Sequence, residues 1–202
     1  ILAKMKKKKR GFSLKREYKE SWNYIKESRK FIYVIVGIFA VFALIGFFVP
    51  FPASVIEKLL EFIQDILGKT QGMNQLELTK FIFFNNLQSS FLGMILGLVL
   101  GIFPIFVAVA NGLLLGFVAS ISVSQGGIFV LWRLLPHGIF ELLAVFISLG
   151  LGLKLGTFIF QKNKFESFRN YFWNSLKVFF FVVLPLLILA AIIEGTLIHF
   201  FG

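Results

Sequence analysis

Phe31-Ile32-Tyr33-Val34-Ile35-Val36-Gly37-Ile38-Phe39-Ala40-Val41-Phe42-Ala43-Leu44-Ile45-Gly46-Phe47-Phe48-Val49 is an uninterrupted apolar run of 19 residues. As a helix it is about 28 Å long, which matches the hydrocarbon thickness of a bilayer. Pro50-Phe51-Pro52 ends it, because proline supplies no N–H and restricts the residue before it. The direct reading is a membrane-spanning helix, and the rest of the chain agrees. Hydrophobic residues make up 57% of the 202, Phe alone occurs 28 times, and the mean hydropathy is +0.85. A soluble domain of this size cannot bury so much apolar surface. The expected fold class is all-α: a polytopic membrane helical bundle of about five transmembrane helices with interfacial amphipathic helices.

The formal charge of +11 is placed where a membrane protein needs it. Twelve of the 21 Lys and Arg precede residue 31, against three acids there, Glu17, Glu20 and Glu27. A basic flank of this kind stays in the cytoplasm. The run Lys6 to Arg10 attracts anionic lipid at about 1 kcal/mol per basic residue near the surface. This distribution argues for a lipid partner and against nucleic acid. Residues 1–30 therefore form a basic cytoplasmic tail, and residues 31–202 the transmembrane domain. Within the tail, Leu14, Tyr18, Trp22 and Ile25 recur at helical spacing among Lys and Glu, as in an amphipathic helix lying on the inner leaflet. The long charged stretch before the first span does not fit a signal peptide.

Beyond the prolines, Ser54 and Glu57 have capping-box spacing and open a second amphipathic helix, with Ile56, Leu59, Leu60, Ile63 and Leu67 on its apolar side. Residues 50–80 carry four acids and three Lys, a balance that suits the outer face. The long apolar stretch from Phe81 to Val123 is expected to be a hairpin of two spans, with Pro104 and Asn111-Gly112 as candidate breaks. A fourth span runs from Pro136 to about Phe160. A fifth runs from Lys177 to about Phe200, kinked at Pro185. Five spans put the protein in the cell membrane as a multi-pass chain, N-terminus in the cytoplasm and C-terminus outside. Trp22-Asn23-Tyr24-Ile25-Lys26 before the first span is echoed by Trp173-Asn174-Ser175-Leu176-Lys177 before the fifth. A parallel repeat would produce this echo, but coincidence or shared interfacial chemistry is the favoured reading over a true duplication.

Small residues fall into stripes. Gly93, Gly97 and Gly101 repeat every four residues, Gly112 and Gly116 do the same, and Ala144, Ser148, Gly152 and Gly156 share one face of the fourth span. Such stripes let two helix backbones approach closely, either inside one chain or across a homo-oligomer seam.

The chemistry-bearing residues gather at the start of the fourth span, in Arg133-Leu134-Leu135-Pro136-His137-Gly138-Ile139-Phe140-Glu141. Pro136 suits a first helical turn and Gly138 admits a close neighbour. His137 and Glu141 share a face and could hydrogen-bond, bind a cation or pass a proton, and Arg133, just before the turn, could neutralise Glu141 if the chain folds back. Their structural role would be a polar pin satisfied by Asn85, Asn86, Gln88 or Asn111. Glu194 is a second intramembrane carboxylate. A tetrahedral metal site needs further ligands and His199 is the only other histidine, so no metal or cofactor is expected. The absence of Cys excludes disulfides and thiol catalysis, and no protease, hydrolase-elbow or phosphate-loop motif occurs. The chain does not read as an enzyme.

Asn85-Asn86, the Gly93 to Gly101 series, Asn111-Gly112 with Gly116, Leu134-Leu135-Pro136-His137-Gly138 with Glu141, and Gly150-Leu151-Gly152 through Gly156 occur in an order that resembles the stage II sporulation protein M family. The resemblance implies an integral membrane protein of about five spans. In spore formers the family's named member works with envelope hydrolases that remodel peptidoglycan, as their membrane anchor. Two functions follow as expectations. One is a non-enzymatic, homo-oligomeric membrane scaffold that anchors or organises envelope proteins. The other is a small ion- or proton-coupled transporter or channel, with His137 and Glu141 lining a polar path and Pro104, Asn111 and Pro136 marking broken helices.

Overall fold

The computed structural model describes residues 13–129, 131 and 135–201. Most of the basic tail, including the Lys6 to Arg10 run, lies outside that range, as does Arg133. So do the side chains of Pro136, His137 and His199. The described chain is helical throughout its elements: α1 (Leu14–Phe48), α2 (Ala53–Thr70), α3 (Gln75–Ile95), α4 (Ile102–Gly126), α5 (Leu135–Gly156), α6 (Lys164–Val178) and α7 (Leu184–Phe201). Five helical runs are long and apolar enough to cross a membrane, as expected.

α1 is a single helix of 35 residues, about 52 Å long. The interfacial helix expected over residues 14–25 is its first half, since no proline or glycine interrupts the chain before Gly37. The apolar residues of that stretch are not the ones packed inside the protein. Leu14, Tyr18 and Trp22 are exposed, whereas Glu17, Ser21, Tyr24 and Ser28 are buried. Serines are small enough to let α6 pack closely against this face. Val49 closes the helix in extended conformation, as a residue before proline must.

α2 begins at Ala53 with Pro52 at its N-cap, so Ser54 already lies inside the first turn and the expected Ser54–Glu57 capping box does not form. The box appears instead at α3. There the Glu77 backbone N–H donates to Asn74 Oδ1 at 3.0 Å, and the Asn74 N–H donates to Glu77 Oε2 at 2.9 Å. No residue of α2 is buried.

The hairpin expected over residues 81–123 is present, but its break is elsewhere. α3 tightens into a 3-10 turn at Leu96–Leu98, and the chain reverses through Leu100 and Gly101, both left-handed with φ of 56° and 72°. A left-handed Leu costs roughly 1–2 kcal/mol. Pro104 sits in the first turn of α4, where a missing N–H removes no helical bond. Asn111-Gly112 lies inside α4 without interrupting it, because Gly112 serves packing: a Cβ there would stand 2.6 Å from the Phe39 carbonyl oxygen. The last span is continuous from α6 into α7 through a π-helical turn at Phe179–Val183. Pro185 cannot donate to the carbonyl of Phe181, and the widened turn lies immediately before it in the chain.

α5 is the central helix. Over its membrane-length window 56% of residues are buried, against 17–33% in the other four, and it contacts α1, α3, α4, α6 and α7. The small-residue stripes are occupied inside the chain. Gly97 meets the backbone of Gly152, Gly156 meets Gly101 and Gly97, and Gly93 meets Leu149, which closes the α3–α5 seam. Gly46, Gly112 and Gly116 close α1 on α4. Around these contacts lie Ile35, Met94, Leu151, Val178, Phe179 and Leu187 as the apolar core.

Candidate functional site

The fourth span brings one expected polar group into contact with other helices. Glu141, half-buried on α5, faces the Asn86 amide of α3 and lies within electrostatic reach of Glu194 on α7. Glu194 Oε2 is buried and has no hydrogen-bond partner among the described residues. At the same end of the bundle, Gln75 Nε2 donates to Thr196 Oγ1 at 3.4 Å and ties α3 to α7. Three helices thus converge two carboxylates and an amide inside the membrane-length bundle, where an unpaired polar group is costly.

Other expected members are elsewhere. Asn111 belongs to α4, beside the Gly112 contact with α1. Among the described residues, nothing from another element lies within 4 Å of the space a Cβ would fill at Gly138. Ser148 acts across the seam, its hydroxyl donating to the Ser90 carbonyl at 2.7 Å. Asn85 points away from Glu141. It is exposed, as are Gln88 and Ser89, and its amide donates to Asn86 Oδ1 at a long 3.5 Å. The membrane-length run here is Gln75–Leu98, so these amides sit close to its midpoint. An unpaired amide in hydrocarbon costs about 4–8 kcal/mol.

A second cluster was not anticipated. Lys154, only 7% exposed near the far end of α5, donates to Ser28 Oγ at 3.0 Å and stands 3.8 Å above the Tyr24 ring and 5.3 Å from the Tyr171 ring. Ser28 in turn donates to the Tyr24 carbonyl at 2.7 Å, and Ser175 lies against the Tyr24 hydroxyl. A desolvated ammonium on an aromatic face gains about 2 kcal/mol or more. The same seam carries an ion-pair clasp nearer the start of α1. Lys177 Nζ lies 2.8 Å from Glu17 Oε2 and 2.8 Å from Glu20 Oε2, while Arg16 Nη2 reaches Glu17 Oε1 at 3.1 Å. Lys154 is the one charged residue between Glu141 and Lys162. The depth reasoning that singled out Glu141 applies to it equally.

The two echoed pentapeptides adjoin one another here. Trp22 and Trp173 are both exposed, while Tyr24 and Ser175 are both buried and face each other across α1 and α6.

The family model described as Stage II sporulation protein M matches residues 35–197. The chain belongs to this family. Neither a curated protein nor a solved structure matches it. As a stage II sporulation protein M family member, the chain has its matched region running from Ile35 in α1 to Leu197 in α7. Both glycine seams and both polar clusters draw on it, and only the α1 half of the Lys154 cluster lies before its start.

Proposed function

We propose that this chain is a non-enzymatic, self-associating scaffold of the cell membrane that anchors or organises envelope proteins, with its N-terminus in the cytoplasm and its C-terminus outside. The observation that carries this reading is the braced pair of α1 and α6. Both helices extend beyond the apolar segments at the same end of the bundle. They are held together by Lys177 with Glu17 and Glu20, and by Lys154 with Tyr24 and Ser28. A braced platform with exposed Lys15, Tyr18, Lys19, Trp22 and Lys26 suits contact with headgroups and with other proteins. Family membership supports the same reading, since its named member is a sporulation protein. Capture from mild detergent after crosslinking in the native membrane tests it. Specific co-purification of envelope proteins is expected, and a chain that brings none down overturns the scaffold role.

The Glu141, Asn86 and Glu194 convergence favours a second reading, an ion- or proton-coupled transporter in which these groups and His137 line a polar path. Flux into liposomes is the measurement, comparing wild type with His137→Ala, Glu141→Gln and Glu194→Gln. Equal flux in all four and in empty liposomes removes it.

A further inference from the structure

The amides of Asn85, Gln88 and the hydroxyl of Ser89 face outward from α3 near the middle of a membrane-length helix. Lipid tails offer them neither donor nor acceptor. The glycine stripes, the other surface suited to helix association, are occupied inside the chain. We propose that the outward face of α3 is where a second copy of this chain docks, α3 against α3 about a two-fold axis along the membrane normal. This rests on the self-associating part of the proposed function and names the surface responsible.

The face is complementary to itself. Each carboxamide both donates and accepts, so Asn85 and Gln88 of one copy close reciprocal hydrogen bonds with the same residues of the other. Toward the end of the helix, Glu77 and Lys80 line the same groove and carry opposite charges. A two-fold axis sets the Lys80 ammonium of each copy beside the partner's Glu77, whose second carboxylate oxygen is free of the capping box. Phe84, 61% exposed, stands at the edge of this groove of about 480 Å³ and is the apolar knob available to fill its counterpart. A lipid-filled face would need none of these polar groups. A different protein helix would need to match them individually, whereas a second copy matches them by symmetry.

The chain contains no Cys, so single cysteines report directly. The full chain is reconstituted in liposomes at low protein-to-lipid ratio and oxidised, with Asn85→Cys or Gln88→Cys compared with Leu44→Cys on α1 and Phe106→Cys on α4, both exposed positions. Disulfide-linked dimer is expected at the α3 positions and only at background level at the other two. In parallel, the wild type and the Asn85→Leu, Gln88→Leu double variant are compared by subunit counting in the bilayer. Leucine suits a lipid-facing helix surface, so folding is retained while dimer affinity falls by about tenfold or more, the factor that lost interhelical hydrogen bonds imply. Equal crosslinking at all four positions, or a double variant that dimerises like the wild type, overturns the assignment of this face. A wild type that is monomeric in the bilayer overturns self-association as a whole, and partner capture then judges the scaffold role separately.

Discussion

Gly97 of α3 and Gly152 of α5 are in backbone contact, with the carbonyl of Gly152 occupying the space that a Cβ on Gly97 would need. Side-chain volume therefore has nowhere to go at this crossing, because the obstructing atoms are main chain rather than the end of a flexible side chain. Gly97→Ala is expected to destabilise the bundle by roughly 1–3 kcal/mol, the usual range for overpacking. Gly37→Ala, with nothing within 4 Å, is the matched control and is expected to be neutral or slightly stabilising. Unfolding in mixed micelles measures both.

Asn86 and Asn85 are neighbours in sequence with opposite surroundings, one against Glu141 and the other exposed. Asn86→Leu removes the amide that faces the half-buried Glu141 carboxyl, and a loss of roughly 1–3 kcal/mol in bundle stability is expected. Asn85→Leu leaves the monomer's stability unchanged. Unfolding of each variant under monomeric conditions separates the two, and equal losses would contradict the inward and outward assignment.

Lys154 is held by aromatic faces and one hydroxyl, without a carboxylate within ion-pair distance among the described residues. The attraction is offset by removing an ammonium from water. Lys154→Met keeps most of the volume and stem packing, and its stability is expected to stay within about 1 kcal/mol of wild type. Tyr24→Ala, by contrast, removes a buried ring on which the cluster rests, at a cost of roughly 3–5 kcal/mol. Thermal unfolding of the two variants in the same lipid mixture gives the comparison.

The Lys177 clasp joins an exposed ammonium to the buried Glu17 carboxylate and the exposed Glu20. Because Lys177 is more than a third exposed, solvent screens it, and a double-mutant cycle of Lys177→Met with Glu17→Gln is expected to give a coupling of about 0.5–1 kcal/mol. The coupling should shrink as ionic strength rises. A salt-independent value would mean that packing of the lysine stem, rather than charge, links the helices.

The spans were legible because their length and apolarity answer to one quantity, the hydrocarbon thickness, and Phe31–Val49 shows this most directly. The glycine stripes were legible as packing faces. Periodicity names a face but not its partner, so the pairing of Gly97 with Gly152 and of Gly112 with Phe39 had to come from the fold. The reversal at Leu100-Gly101 was missed because Pro104 and Asn111-Gly112 carry stronger local signals. A first-turn proline and a close-packed glycine are both compatible with helix. Glu141 was found by asking what a charge does at membrane depth. The environment of Lys154 comes from Tyr24 and Tyr171, far from it in sequence, and no local pattern announces it.

α1 also has a mechanical consequence. One continuous helix of 35 residues joins its polar first half to its apolar second half, with no loop between them. Gly46 near one end is locked to Leu113 of α4, and Glu17 near the other is clasped by Lys177. A movement of the Glu17 end is therefore passed along one helix to the Gly46 contact with α4, with no loop between them to absorb it.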